Sequence, residues 1–478
     1  MPSQNFQTNS LRTIGLQVTI LVVVDVTVSE QNWEEYFMAN YDYDVLYIGS
    51  GHGTFDGAIP LAARGKKVGV IESGLIGGTC PNRGCNAKIT LDAPVALTRL
   101  TERMQGIVNG DLAINWTANE KHKQEVIEGL PDMIGGLMKS VNINIIKGRG
   151  TFEDAHTVMV DGTPHTAESI VISTGQHPHR LDIPGTELAH DSADFMNLTH
   201  LPANITIIGA GYISLEFATI ANAAGAKVTV ITHGDKVLRK FYQPYVEQIV
   251  ADLKSRGVDF INNANVTSFE QDDRDFTVNY DGGTVKTNWI LDATGRVPNV
   301  DGIGLDKVGV DYSEKGVKVN DHLETNVDNI YASGDVIDKD QPKLTPTAIF
   351  ESTYLMHVFA GDTSDPIDYP AIPSVVFTSP RIAKVGVSVE EAQKDDLTIK
   401  ENHLPDDWYR QVTKESIGDN ALIYDKQNHL VGATEISDQA EDAINAFLPA
   451  IVFKFEPAQL ERLVTLFPTI AADAWGQI

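Results

Sequence analysis

Cysteine is almost absent: the 478 residues contain two, Cys80 and Cys85. Secreted scaffolds built on disulfides spread many cysteines along the chain, so that class is excluded. Basic residues are scarce as well, with 37 Lys and Arg against 65 Asp and Glu, a net charge of −28. Nothing in that balance supplies the cations needed to neutralise nucleic-acid phosphates or an anionic membrane. No nucleic-acid or membrane partner is therefore expected, and an acidic, solubilising surface is. Long apolar runs are missing too. The nearest, Ile14 to Val28, is broken by Gln17 and Asp25 and is too short to span a bilayer. Low-complexity tracts and solenoid periods are also absent. What remains is ordinary for a soluble globular chain, 42% apolar and 21% charged, and long enough for two to four domains.

Residues 1–37 differ in texture from the rest and are expected to be a non-native or disordered extension. The Ile14–Val28 run lacks the small-residue cleavage site of a signal peptide. Trp33-Glu34-Glu35 can be encoded by a purine-rich ribosome-binding sequence, with only two codons before that of Met38. Translation is expected to start there.

From Tyr41 the pattern becomes regular. The run Asp44 to Ile48, a glycine turn, a segment to Arg64 and the run Val68 to Ile71 make one βαβ unit. A second copy starts at Ile205 to Ile208, passes Gly209-Ala210-Gly211 and ends at Val228 to Ile231. Between them, Asn119 to Ser140 reads as helix and Ile143 to Met159 as strands. A strand at Ile330-Tyr331-Ala332 ends in Gly334-Asp335. After Asp362 come strands at Val375 to Phe377 and Ile382 to Val387, with helices following Val389 and Ala440. The fold class is α/β: two Rossmann-like dinucleotide-binding domains plus a C-terminal α+β domain.

The first glycine loop is Gly49-Ser50-Gly51-His52-Gly53-Thr54. In such a loop the first glycine permits the tight turn. The second lets the backbone approach a pyrophosphate seated at the helix N-terminus. Thr54 occupies the third position, so helix and strand are expected to pack slightly apart. Glu72, about twenty residues on, is placed to hold an adenosine ribose. In the second loop Gly209 and Gly211 repeat the pattern, but its second strand ends at Thr232 without an acid. His233, Lys236 and Arg239 follow instead, and cations there suit a 2′-phosphate, which leans the nicotinamide cofactor to NADPH.

The segment Gly77-Gly78-Thr79-Cys80-Pro81-Asn82-Arg83-Gly84-Cys85-Asn86-Ala87-Lys88 carries the strongest signal. So close a pair, spanning little more than one helical turn, can cycle between dithiol and disulfide. Lys88 and a helix N-terminus would favour a thiolate. A zinc site would need four ligands, and no second Cys or His pair stands at ligand spacing, so no metal site is expected.

This segment closely resembles the signature of the class I pyridine nucleotide-disulfide oxidoreductases, the family of glutathione reductase, dihydrolipoamide dehydrogenase and mercuric reductase. The resemblance runs from about Tyr41 to the C-terminus. Ser173-Thr174-Gly175 and Ala293-Thr294-Gly295-Arg296 resemble the family's two strand ends. Tyr331 to Asp335 resembles its second FAD motif, Leu344-Thr345-Pro346 the segment beside the flavin, and Ile372 to Pro380 the opening of its dimerisation domain. The resemblance implies FAD and NAD(P)H as cofactors and a cytoplasmic homodimer. It implies an FAD-binding domain over 38–178 and 299–361, an NAD(P)-binding domain over 179–298 and a dimerisation domain over 362–478. Cys85 would face the flavin and Cys80 would meet the substrate. Lys88 and Glu216 would pair near flavin N5, and Tyr212 would gate the nicotinamide pocket. Thr79, Gly175, Gly295 and Asp335 join Gly49, Gly51, Gly53, Glu72, Lys88, Gly209, Gly211, Tyr212, His233 and Arg239 as cofactor-binding candidates.

One part of the pattern is missing. The thiol-disulfide branch carries His-Pro-x-x-x-Glu near its C-terminus, and the histidine moves the proton of the interchange thiol. Here those positions are Phe467 and Ala472. A phenyl ring cannot move protons, so efficient reduction of a disulfide such as glutathione's is doubtful. The expected activity is electron transfer from NAD(P)H through FAD and the Cys80–Cys85 pair to a small acceptor: a disulfide, a metal ion or a quinone. The alternative is a low-turnover flavin redox sensor or a subunit of a dihydrolipoamide dehydrogenase-type complex.

Overall fold

A computed structural model describes residues 41–478. The expected extension at 1–37 and the start at Met38 lie outside them. Strand β1 (Tyr43–Ile48) leads through the first glycine loop into helix α1 (Phe55–Ala63), and β2 (Val68–Glu72) follows. Helices α2 (Thr79–Arg83), α3 (Cys85–Arg103), α4 (Trp116–Ile127) and α5 (Leu130–Ser140) come next. Then come β3 (Asn144–Lys147), β4 (Thr151–Asp154), β5 (Thr157–Val160) and β6 (Thr163–Ile172).

These strands form a sheet in the order β3-β2-β1-β6-β5-β4. The pairs β3–β2, β2–β1 and β1–β6 are parallel. A parallel strand is covered on both faces, which is why its sequence is a continuous apolar run rather than an alternation. Val45, Leu46, Tyr47 and Ile48 are all buried, and so are Val68, Val70 and Ile71. Each of the buried Val, Leu and Ile side chains contributes about 1.5–3 kcal/mol.

The second module repeats the plan with β7 (Asn204–Ile208), α6 (Tyr212–Ala223), β8 (Lys227–Ile231), β9 (Asp259–Ile261) and β10 (Trp289–Asp292). They form a parallel sheet in the order β9-β8-β7-β10. Short strands at Gln176–Pro178 and Arg296–Pro298 pair antiparallel where the chain enters and leaves this module. The chain then returns to the first sheet: β11 (Ile330–Ala332) pairs parallel with β6, and α7 (Thr345–Phe359) follows.

The C-terminal sheet contains β12 (Ser374–Val376), β13 (Arg381–Gly386), β14 (Thr398–His403), β15 (Asp419–Tyr424) and β16 (Leu430–Ser437). Its order is β12-β13-β16-β15-β14, antiparallel throughout, and α8 (Ala440–Phe453) and α9 (Ile470–Gln477) follow. One apolar cluster joins Leu91 and Val95 of α3, Ile205 and Val228 of the second sheet, and Val376 and Ile382 of the third. That shared core fixes the three modules around the cysteine helix.

Two sequence expectations change. Asn119 to Ser140 is two helices, because the chain breaks at Gly129 and Pro131 starts α5 in its first turn. The cysteines do not share one helical turn. Gly84, at φ −144 and ψ −121, separates α2 from α3, with Cys80 on one and Cys85 opening the other. Among the described residues no helix is long and apolar enough to cross a membrane.

Candidate active site

Both glycine turns are held by the same contact. Gly49 (φ +111) sits where a Cβ would lie 2.3 Å from the Ser173 carbonyl oxygen, and Gly209 (φ +134) where one would lie 2.3 Å from that of Ala293. Only glycine fits such a position. The second glycines serve a different purpose. Nothing lies within 4 Å of a Cβ on Gly211, and the nearest atoms to one on Gly51 are at 3.9 Å. Gly175 is open as well, and Gly295 has only His179 Cβ at 3.8 Å. Bare backbone at these four points lines one cleft of about 1620 Å³ running across both modules. Ordinary small-molecule pockets measure about 300–1,000 Å³, so this one has room for two dinucleotides. Its glycine cradles over helix N-termini suit pyrophosphates.

Gly53 is packed rather than open. Ser173 and Ser333, at the ends of β6 and β11, both donate hydroxyl hydrogen bonds to its carbonyl oxygen. Thr54, fully buried, returns its hydroxyl to the Gly49 carbonyl at 2.9 Å. Glu72 accepts from Ser50 N at 3.0 Å and Gly74 N at 2.6 Å, which fixes its carboxylate on the cleft wall. Asp335 also lines the cleft. Its neighbour Gly334 donates from N to the buried Glu351 carboxylate at 2.7 Å, and Lys339 and Tyr369 bind the same carboxylate. Nothing local in the sequence points to Glu351 or to the Ser173–Ser333 clamp, since the partners are far apart along the chain.

The cysteines are two thiols at the cleft. A Cβ on Gly84 would come within 3.0 Å of Cys80 Cα, so glycine there lets the chain fold Cys85 back over Cys80. The Cys80 thiol donates to Asn86 Oδ1 at 3.8 Å, and its hydrogen-bonding contact with Cys85, then burial, pushes Cys80 well above the usual thiol range. Cys85 is pulled down to about 6, first by the contact with Cys80, then by Thr345 and the charges of Lys88 and His52, against burial. Its place at the N-terminus of the 19-residue α3 works in the same direction. Thr79, first residue of α2, lines the cleft beside the pair.

Lys88 and Glu216 meet at 3.3 Å, both mostly buried. Glu216 also accepts from Phe377 N at 2.9 Å, and Lys88 Nζ lies 3.4 Å from the Phe377 ring centroid. The pair thus joins α3, α6 and the entry to the third module. Tyr212 opens α6 on the cleft wall, half-exposed. His233 and Arg239 line the same cleft, and the Arg239 guanidinium folds over Gly234. Lys236 is not among the lining residues. At the C-terminus, Phe467 is 69% exposed and rests against Trp408, ring centroids 5.6 Å apart. Asp473 is bound to Arg410 at 2.8 Å.

Two family models cover nearly all of the described chain: pyridine nucleotide-disulphide oxidoreductase over residues 43–352, and the dimerisation domain of the same family over 372–475. A glutathione reductase of Nostoc sp. is 30% identical over 91% of this chain and 98% of its own. A dihydrolipoyl dehydrogenase of Chlamydia muridarum is 32% identical over 92% and 96%, and a mercuric reductase of Lysinibacillus sphaericus 29% over 90% and 81%. Among solved structures, the HOCl-induced flavoprotein disulfide reductase RclA from Escherichia coli superposes with a TM-score of 0.83 at 24% identity, over 91% of this chain and 99% of that one. The chain therefore belongs to the pyridine nucleotide-disulphide oxidoreductase family and is an FAD-dependent oxidoreductase using NAD(P)H.

Proposed function

We propose that this protein carries electrons from NAD(P)H through FAD and a redox-active Cys80–Cys85 pair to a small acceptor that needs no proton from the C-terminus, a metal ion or a quinone. The observation that carries the reading is the placement of the pair: Gly84 folds Cys85 back over Cys80, and Cys85 opens α3 with its sulfur 3.5 Å from the Thr345 hydroxyl. There Cys80 is pushed up by its contact with Cys85 and by burial, while Cys85 is pulled down to about 6. A thiolate on Cys85 at neutral pH is the state from which such a pair exchanges two electrons. Bound FAD supplies the two-electron relay between nicotinamide and sulfur. Gly49, Gly51, Gly53, Glu72, Thr79, Gly175 and Asp335 would hold it in domain 38–178 with 299–361. Gly209, Gly211, Tyr212 and Gly295 would hold the nicotinamide cofactor in domain 179–298. His233 and Arg239, together on the cleft wall, favour a 2′-phosphate and hence NADPH. Lys88, paired with Glu216, adds a fixed positive charge beside the thiolate. The domain over 362–478 would make the protein a homodimer.

Phe467 and Ala472 argue for the choice of acceptor. A disulfide leaves as two thiols and needs a proton delivered at the sulfur, whereas Cu(II) takes electrons alone and a quinone takes its two protons from water. Steady-state NADPH oxidation with Cu(II), a benzoquinone, glutathione disulfide and lipoamide tests this. The reading expects Cu(II) or the quinone to exceed both disulfides by about a hundredfold or more. Disulfide turnover as fast as either contradicts it. Negligible turnover with all four, alongside a reducible flavin, favours the sensor.

A further inference from the structure

Three donors from different segments meet on one buried carboxylate. Glu351, in the second turn of α7, is fully buried. Its Oε2 accepts from Gly334 N at 2.7 Å, and its Oε1 accepts from the Tyr369 hydroxyl at 2.8 Å and from Lys339 Nζ. Gly334, at φ +79, follows β11 and directly precedes Asp335. Lys339 lies between that turn and α7, its side chain only 5% exposed. Tyr369 lies beyond α7, on the linker 360–373 that joins α7 to β12 without helix or strand. Burial first, then the Glu351 charge, raises the Tyr369 phenol, so its hydroxyl stays a donor. The ring meets Phe350 of α7, centroids 5.8 Å apart. A carboxylate cut off from water keeps its charge only where a counter-ion and hydrogen bonds replace that water. Lys339 supplies the counter-charge, and Gly334 and Tyr369 supply the remaining bonds.

We propose that Glu351, held by Tyr369, is a positioning residue for FAD, and that the linker beyond residue 361 thereby completes the FAD-binding domain. The proposal rests on the reading above that the turn at Asp335 holds the cofactor. Gly334 is the flexible residue of that turn. Ser333 before it is anchored by its hydroxyl to the Gly53 carbonyl, and Glu351 anchors the Gly334 peptide itself. The Asp335 backbone is then fixed before the cofactor arrives, and binding does not have to order it. Tyr369 fixes the carboxylate that Gly334 N meets, so loss of the hydroxyl frees the carboxylate to turn away. Two further bonds tie the same linker down, from the Tyr354 hydroxyl to the Asp365 carbonyl and from Ile367 N to the Asp321 carbonyl, and neither touches Glu351.

The test uses the holoenzyme. FAD release on dilution is followed by the rise in flavin fluorescence, and hydrogen–deuterium exchange is read by mass spectrometry on the peptide containing Gly334. Tyr369→Phe keeps the ring and removes one hydrogen bond. It is expected to speed FAD release about fivefold and to raise exchange in that peptide. Tyr354→Phe removes a hydroxyl bond between the same helix and the same linker, and both readouts should stay at parental values. Glu351→Gln combined with Lys339→Met removes the buried pair together and should speed release about tenfold or more. Tyr369→Phe carries the comparison alone if that double variant does not fold. Unchanged release from Tyr369→Phe overturns the proposal. Equal release from Tyr354→Phe also overturns it, because the loss is then a general loosening of the linker. Asp335→Ala separates the two levels. FAD held as tightly as in the parent means the reading of the turn has failed, whereas fast release from Asp335→Ala beside a parent-like Tyr369→Phe sinks only the role of Glu351 and Tyr369.

Discussion

The hydroxyl of Thr345 lies 3.5 Å from the sulfur of Cys85, across 260 residues of sequence. Thr345 opens the 15-residue α7 and Cys85 the 19-residue α3, so two helix N-termini converge on one sulfur. Both helix dipoles and the hydroxyl favour negative charge there.

Removing the hydroxyl should therefore weaken the thiolate without abolishing it. Thr345→Val is expected to raise the alkylation midpoint of Cys85 from about 6 by roughly half a unit, the worth of one ordinary hydrogen bond. Iodoacetamide rates on the reduced protein measure it, and an unchanged midpoint removes Thr345 from the account.

Lys88 and Glu216 are each almost out of water, 12% and 7% exposed. Truncating one leaves an unpaired buried charge, at a cost of about 3 kcal/mol or more. Glu216→Gln and Lys88→Met should each lower the unfolding midpoint, and the double variant should recover much of the loss. Additive losses in a double-mutant cycle would show that the two side chains act separately.

Gly209 and Gly211 should respond differently to the same substitution. Gly209→Ala forces a Cβ to 2.3 Å from a backbone oxygen at φ +134 and is expected to destabilise the second module. Gly211→Ala meets nothing in the protein at φ −90, so fold and FAD content should persist while KM for NADPH rises about tenfold. Binding titration and circular dichroism distinguish the two outcomes, and equal loss of fold in both contradicts the assignment.

Glu415 gives the C-terminal module a pH-dependent stability. Burial first, then the Asp438 charge, pushes its carboxyl up to about 7 against the pull of Arg410. A carboxyl raised in the folded state stabilises fully below its ordinary value near 4.5 and loses that contribution as pH rises through 7. The buried neighbours Glu435 and Asp438 are raised in the same sense. Glu415→Gln should gain up to roughly 3 kcal/mol relative to the parent between mildly acidic and mildly alkaline pH. Thermal unfolding across that range measures it, and a parent that grows more stable over the same interval contradicts it.

Much of this site was legible because its signals are local. The run Val45 to Ile48, the glycines at 49 and 51 and the acid at Glu72 lie within one βαβ unit, whose buried parallel strands need continuous apolar runs. Cys80, Cys85 and Lys88 are close in sequence and close in space. The His52–Asp56 contact joins the glycine turn to the first turn of α1, and nothing in the sequence marked that histidine off from the other twelve. The Ser173–Ser333 clamp, the buried Glu351 and Phe377 over Lys88 depend on segments that only the fold brings together. The break at Gly84 was hidden because the spacing of the cysteines fits one turn or two helix ends equally well.

The most direct measurement is an anaerobic titration of the purified holoenzyme with NADPH, followed by absorbance. A Cys85 thiolate against the isoalloxazine ring should produce a long-wavelength band as two electrons enter. Cys85→Ser should retain FAD and show no band, while Cys80→Ser should keep it. A band that survives in Cys85→Ser would contradict the assignment of the sulfurs on which the whole account depends.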